Sequence, residues 1–274
     1  MSEYKLIALD MDGTLLNSEK VISDKTVEMI RKAAREGKEI VLSTGRCLAE
    51  LREHLDRLPE VRYLNCVSGA VVYDCLERKV IYSRTLSVEE MKKVLELSKM
   101  EDVMVHMLYL ASVVDTKSIA RMEEFGMGVY RPMFEQVTEK HEDMYQWYEA
   151  SPIPVGKCNL YHLAPECRSR TEERLKEAHM EVSAVYSEKT SLEITAKDVN
   201  KGTGLLRLCG HLGIRPEEVI AVGDNDNDVD MLKVAGLAVA MGNASDEIKE
   251  LSDVVVADCD HDGCAQAIEE YLLA

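Results

Sequence analysis

The chain has 274 residues and a formal charge of −17, with 50 acidic against 33 basic residues. That length buries a substantial core and suits one large domain or two modest ones. The acidic excess argues against broad nucleic-acid binding, which relies on lysine and arginine to neutralise phosphates; it leaves room for a small anionic substrate, because a cation or a few lysines reverse the local field.

The N-terminal MSEYKLIALD lacks the basic-then-apolar pattern of a signal segment, and no apolar run is long enough to span a bilayer, so a cytoplasmic protein that does not bind membranes is expected. Residues 5–10, KLIALD, form a near-continuous apolar run, as in a parallel strand covered on both faces. A helix follows near 23–36: Ser23 can cap it, Val27, Ile30 and Ala34 share a face, and Gly37 ends it. EIVLST, 39–44, is a second strand, and Gly45-Arg46 is expected to open the next helix. A further apolar segment, YLNCVSGAVVYD, turns at Ser68-Gly69.

The middle, 85–188, reads differently. A capping box, Ser87-x-x-Glu90, precedes Met91, Val94 and Leu95. Short alternating stretches follow, VMVHMLYL, KCNLYHLA and EVSAVYS, with an amphipathic helix, PECRSRTEERLKEAH, between the last two. Without long buried runs, this mixture predicts a separate α+β domain inserted into an α/β one. The strand-helix alternation then returns: a helix over 201–212, the strand EEVIAVGD, the helix DVDMLKVAG, the strand LAVAMGNA, the helix SDEIKELSD, the strand DVVVA and a closing helix, GCAQAIEEYLLA. Such alternation implies a doubly wound parallel sheet. The eight cysteines include no C-x-x-C pair, and several lie in apolar runs, which predicts reduced thiols.

Ligands of open α/β sheets bind beyond the carboxyl ends of the strands, so what each apolar run ends in is informative. The first ends in Asp10-Met11-Asp12-Gly13-Thr14 and the second in Ser43-Thr44-Gly45-Arg46. The strand after the insertion ends in Gly223-Asp224-Asn225-Asp226-Asn227-Asp228, and Asn200-Lys201-Gly202 places a lysine at a helix start. A hydroxyl at a helix N-terminus offers donors to an anion, and lysine is a compact charge suited to phosphate. Clustered carboxylates need a counterion, and all-oxygen ligands favour a hard cation such as magnesium. Magnesium-assisted phosphate chemistry follows from these residue types together, although each signal alone is weak; a lone D-x-D is more often a turn. DNDNDVDMLKVA is not a calcium loop, because Val229 replaces the required glycine and Ala235 the required glutamate. His261 among Asp258, Asp260 and Asp262 reads as a solvated acidic loop more readily than as a second metal site.

The ordered set DMDGTL, STGR, NKG and GDNDND resembles the four motifs of the haloacid dehalogenase-like phosphohydrolases. STGR, AVGDNDNDVDML and AVAMGNAS, with an insertion between the second and third motifs, are similar to the Cof-type sugar-phosphatase branch, which carries a C2-type cap. The resemblance implies a Rossmann-like core formed by 1–84 and 189–274, with 85–188 as an α+β cap that closes over the site and reads the leaving group. It implies Asp10 as nucleophile, forming an aspartyl-phosphate, and Asp12 as the acid that protonates the leaving oxygen and then activates water. Side chains two apart on an extended strand reach the same side. Magnesium would lie between the Asp10 carboxylate, the Asp12 carbonyl and Asp224, with Asp228 holding the metal or its waters. Thr44, Arg46, Lys201, Asn227 and the amides of Met11 and Gly45 would cradle the phosphoryl group, with Ser43 in reserve for the hydroxyl role.

Three positions depart from the branch: Cys47 where proline is frequent, Ser68 where the pattern reads Asn-Gly-Ala, and Cys264 where valine is common. Oxidation of Cys47 is weighed against inert packing, and packing is preferred. The expected activity is hydrolysis of small phosphorylated metabolites, sugar phosphates above all, by a monomer or small homo-oligomer. A phosphomutase is the nearest alternative; it would need cap cations for a second phosphate, with Arg121, Arg131, Arg168, Arg170 and Arg174 as candidates. A dehalogenase would leave Asp12 and the metal cluster without purpose, and a non-catalytic sensor would leave the catalytic residues without one.

Overall fold

The computed structural model describes residues 4–187 and 189–274. In chain order the first elements are β1 (Leu6–Leu9), α1 (Asp24–Arg35), β2 (Glu39–Ser43), α2 (Leu48–Arg57), β3 (Tyr63–Cys66), β4 (Val71–Asp74) and β5 (Lys79–Ser83). Next come α3 (Val88–Ser98), β6 (Val103–Leu108), β7 (Ser112–Asp115), α4 (Thr116–Ala120), α5 (Arg131–Val137), β8 (Thr138–His141) and α6 (Met144–Ala150). They are followed by β9 (Lys157–His162), α7 (Pro165–Glu177), β10 (Val182–Val185) and β11 (Ser191–Ala196). The chain closes with α8 (Lys201–Leu212), β12 (Val219–Gly223), α9 (Val229–Val234), β13 (Leu237–Ala240), α10 (Asp246–Leu251), β14 (Val254–Val255) and α11 (Gly263–Ala267), then a π-helical turn, Ile268–Leu272.

Two compact units result, one from residues 1–45, 51–83 and 200–274, the other from 46–50 and 84–199. The first holds an eight-stranded sheet of order β14-β13-β12-β1-β2-β3-β4-β5. Its strands from β14 to β3 are parallel, and β3-β4-β5 is an antiparallel meander. One face packs Leu6, Ala8, Val41, Ala221 and Ala240 on Leu205, Leu208, Met231, Leu232 and Ile248 of α8, α9 and α10. The alternate residues Ile7, Leu9, Leu42, Ile220 and Val222 are also fully buried, towards the face where α1 and the C-terminal turn pack. Burial on both faces is why these strands are apolar throughout.

The helix expected to open at Gly45-Arg46 starts later, at Leu48. Thr44 is still tied to β3 and the loop after it, because its amide donates to Asn65 O at 2.9 Å and its carbonyl accepts from Ser68 N at 3.0 Å. The segment Ser68-Gly69 does turn the chain, joining β3 to β4 as an antiparallel pair.

The second unit is a six-stranded sheet of order β10-β11-β9-β6-β7-β8, with α3, α6 and α7 on one apolar face through Met91, Val94, Met144, Tyr148 and Leu175. The capping box of Ser87 and Glu90 is formed at the start of α3. The boundary expected at 188/189 falls ahead of the division at Val199/Asn200, because Ser191–Ala196 pairs with β9 and β10 in this second sheet. Among the described residues no helix is long and apolar enough to cross a membrane. All eight cysteines are free thiols.

Candidate active site

Parallel register brings the polar strand ends together. Leu9 of β1 lies opposite Leu42 of β2 on one side and Val222 of β12 on the other. Asp10, Ser43-Thr44 and Gly223-Asp224 therefore emerge side by side at one rim of the sheet, beyond the carboxyl ends of its central strands. Asp10 continues the pairing by donating its amide to Val222 O at 3.0 Å.

Asp12 is not on an extended strand, as the spacing of two had suggested. Residues 10–16 wind into a tight turn, with Leu15 N donating to Asp10 O at 3.2 Å and Leu16 N to Met11 O at 2.8 Å. Gly13 takes φ +87° there, and a Cβ at that position would fall 2.5 Å from Asp224 Oδ2; only glycine allows this approach. Thr14 then donates its hydroxyl to Asp224 Oδ1 at 2.6 Å. Asn243 braces the turn from outside, donating to Gly13 O at 2.8 Å while accepting from Cys259 N at 3.0 Å. Cys264, one of the departures from the branch pattern, is buried, and its thiol donates to Thr14 O at 3.4 Å.

Two ammonium groups divide the two carboxylates. Lys201, buried at the first position of α8, donates to Asp10 Oδ1 and, at 2.7 Å, to Asp228 Oδ1. Lys20, half-exposed, donates to Asp12 Oδ1 at 3.0 Å. Asn200 caps α8 by accepting from Thr203 N, which fixes the helix start and so the root of Lys201. Asp228 is fully buried, and its Oδ2 accepts from the amides of Asp224 and Asn225 at 3.0 and 3.2 Å. Asn227 is exposed in the same short turn.

Carboxylate oxygens of Asp10, Asp224 and Asp228 lie within 4.8 Å of one another. Burial, reinforced by Asp228, pushes the Asp10 carboxyl well above the usual carboxylate range despite Lys201. Burial also pushes Asp224 up to about 6, against the Thr14 hydrogen bond. Burial works against the Lys201 charge, but Asp10 and Asp228 outweigh it and raise its pKa. One ammonium thus bonds two of three crowded carboxyl groups, and Asp10 and Asp224 are displaced towards neutrality. An all-oxygen donor set with surplus negative charge fits a hard divalent cation such as magnesium.

The remaining expected residues fall as follows. Thr44 is buried at the end of β2, and Ser43, also buried, accepts from Asn65 Nδ2 at 2.9 Å. Met11 is buried in the turn and Gly45 is partly exposed. Arg46 belongs with the second unit, as do Cys47, which is buried, and Glu50, which accepts the Cys47 amide at 3.0 Å. The acidic loop around His261 is occupied with internal bonds. Asp258 accepts from His261 at 2.6 Å, Asp260 from Ser18 N at 2.9 Å, and Asp262 from the Ser23 hydroxyl. Sequence reading missed Thr14, Lys20, Asn65 and Asn243. Thr14 lies inside DMDGTL, Asn243 inside AVAMGNAS, and Asn65 is an amide inside the apolar run YLNCV; Lys20 carried no signal.

A family model described as haloacid dehalogenase-like hydrolase matches residues 7–268. The 5-amino-6-(5-phospho-D-ribitylamino)uracil phosphatase of Bacillus subtilis is 31% identical over 275 residues, covering 99% of this chain and 97% of its own. A haloacid dehalogenase-like hydrolase from Bacteroides thetaiotaomicron is 27% identical with a TM-score of 0.85, over 98% of this chain and 99% of that one. A sugar phosphatase of haloacid dehalogenase subclass IIB is 25% identical with a TM-score of 0.81, over 98% and 100% of the two chains. Fold, site and these likenesses define a phosphatase on a doubly wound α/β core. The chain belongs to the haloacid dehalogenase-like hydrolases, in their Cof-type branch.

Proposed function

We propose that the protein hydrolyses phosphomonoesters of small metabolites, sugar and sugar-alcohol phosphates in particular, through an aspartyl-phosphate on Asp10. The observation that carries this reading is the cluster of Asp10, Asp224 and Asp228, with the buried Lys201 ammonium bridging Asp10 and Asp228. The likeness to a ribitylaminouracil-phosphate phosphatase and to a sugar phosphatase supports the substrate class.

In the first half-reaction an Asp10 oxygen attacks phosphorus and the bond to the leaving oxygen breaks, while Asp12 gives that oxygen a proton. In the second, Asp12 takes a proton from water, the water oxygen attacks phosphorus, and the bond to Asp10 breaks to release inorganic phosphate. Lys201, Thr44, Asn227 and the amides of Met11 and Gly45 hold the phosphoryl oxygens, where positioning and electrostatics supply most of the catalysis. Magnesium, held by Asp10, the Asp12 carbonyl, Asp224 and Asp228, would neutralise the developing charge when bound.

The arginines that a mutase would need for a second phosphate are engaged elsewhere. Arg121 bonds to Asp102 and Glu124, Arg131 to Glu123, Arg170 and Arg174 to Glu101, and Arg168 to the Lys189 carbonyl. The test is a screen of sugar, sugar-alcohol and pyridoxal phosphates with and without magnesium, ranked by kcat/KM. Release of phosphate from a monophosphate without a bisphosphate activator supports hydrolysis. Conversion to an isomeric phosphate, or thermal stabilisation without turnover, overturns it.

A further inference from the structure

Asn65 is fully buried in β3, yet it carries an amide where its neighbours Leu64 and Cys66 are apolar. Its Nδ2 donates to two places at once. One bond, 2.9 Å, goes to Ser43 Oγ at the end of β2; the other, 2.8 Å, goes to the backbone carbonyl of Lys201 at the start of α8. Its Oδ1 is buried without a hydrogen-bond partner, so the residue carries the full desolvation cost of an unmade bond. A buried orphan of this kind calls for an explanation beyond packing.

The segment that follows is also unusual. Val67 and Ser68 take φ of +56° and +55°, a left-handed conformation that a β-branched valine rarely adopts. Gly69, at φ +91°, lies so close to α8 that a Cβ would fall 1.9 Å from Asn200 O. At Gly204 a Cβ would fall 2.0 Å from Asn65 Oδ1, so the helix backbone rests directly on the amide. The same stretch bonds both ways to Thr44, through Asn65 O and Ser68 N. An unsatisfied amide and a strained loop thus converge on one task, seating the first turn of α8 against the end of β2. Local strain persists where surrounding structure over-determines it, and it gathers at functional sites.

We propose that Asn65 is a positioning residue that holds Ser43-Thr44 and the root of Lys201 in a fixed register, so that the Thr44 hydroxyl and the Lys201 ammonium meet the same phosphoryl group. The proposal rests on the hydrolytic reading of the Asp10 site. It acts through the backbone of α8 and the strand end, not by touching substrate. A displacement of about 1 Å between groups that must act together costs roughly a hundredfold in rate.

The test is N65L, which keeps the branching of the side chain and removes both donor and orphan acceptor. It is measured beside wild type, S43A, the double variant and D10A, with p-nitrophenyl phosphate as probe. Expected for N65L is a kcat lower by about 30- to 100-fold, KM within about threefold, and a Tm within a few degrees of wild type, because the two donated bonds are lost together with the orphan oxygen. Expected for S43A is a smaller loss of kcat, and little further loss when it is added to N65L, because both break the same tether. A kcat in N65L within twofold of wild type overturns the proposal, as does a loss that only follows a fall in Tm. Should N65L fail to fold, N65S and S43A decide by the same split between kcat and Tm, with an intermediate kcat in N65S expected. Turnover lost in D10A but kept in N65L overturns the role of Asn65 alone. Turnover kept in D10A overturns the hydrolytic reading, and the proposal with it.

Discussion

The Lys201 ammonium sits 2.7 Å from Asp228 Oδ1 with both side chains out of contact with water, and the same ammonium also reaches Asp10. Removing one partner from such a buried group strands the other charges, which costs about 3–5 kcal/mol. The expected result for K201M is therefore twofold. The kcat falls by roughly 10²–10³, as on loss of one electrostatic stabiliser, and Tm drops in metal-free buffer. Magnesium restores part of the Tm but not the kcat. Thermal melts with and without the metal, read beside steady-state kinetics, check both.

Asp224 and its crowded neighbours predict that metal binding and stability are linked. Magnesium at about 100 times its Kd adds about 2.7 kcal/mol of stability, so Tm rises on titration and falls again with EDTA. D224N removes one negative donor from the three; its expected outcome is a much smaller Tm rise at the same magnesium concentration and loss of turnover. A wild-type Tm indifferent to magnesium would contradict the assignment of these carboxylates.

Gly13 predicts the effect of one methyl group. With φ +87° and a Cβ position 2.5 Å from Asp224 Oδ2, alanine must both strain the turn and displace the carboxylate. G13A is expected to lose at least about a hundredfold in kcat, with a lower magnesium affinity seen as a rightward shift of the metal titration.

How far such features were legible in the sequence differs by residue. Asp10 and Asp224 end apolar runs, and parallel register then leaves them little choice but to meet at one rim, with Asp228 brought in by the short turn after Asp224. Lys201 was legible because Asn200 marks a helix start. Lys20 was not, since a lysine in a loop is ordinary until the chain folds back to Asp12; Asn243 stands in AVAMGNAS, but nothing there names Gly13 as its partner. Asp12 reads as extended with Asp10, but the chain turns there, because the apolar run gives no sign of where pairing stops. The boundary near 189 was placed too early because Ser191–Ala196 reads equally well as a strand of either sheet. The elements between Ser112 and Ala150 went unread, being short and mixed in polarity.

The second unit carries its own prediction. Glu101 accepts from Arg170 at 2.7 Å and from Arg174 at 2.8 Å, and Arg170 first, then Arg174, hold its carboxyl at about 2, below the ordinary 4.5. A carboxyl depressed in the fold stabilises it fully above the unfolded value and loses that contribution as pH falls towards the folded value. The stabilisation is thus present at neutral pH and disappears between about 4.5 and 2. Urea titrations of wild type and E101Q are expected to differ at pH 6, to narrow progressively below about 4.5 and to converge only below about 2. An undiminished difference at the acid end would refute the linkage.

The central claim is that Asp10 takes the phosphoryl group, and the most direct measurement is to catch it there. D12N is expected to form the aspartyl-phosphate with an activated ester such as p-nitrophenyl phosphate, whose leaving group needs no proton, and to hydrolyse it slowly for want of a base to activate water. Acid quenching within the first turnover, followed by peptide mass spectrometry, is expected to find one added phosphoryl group on the peptide containing Asp10. The same peptide should carry none in the D10A/D12N double variant. A stoichiometric phosphoryl group on another residue, or burst-free turnover with Asp10 unmodified and D10A still active, would contradict the account.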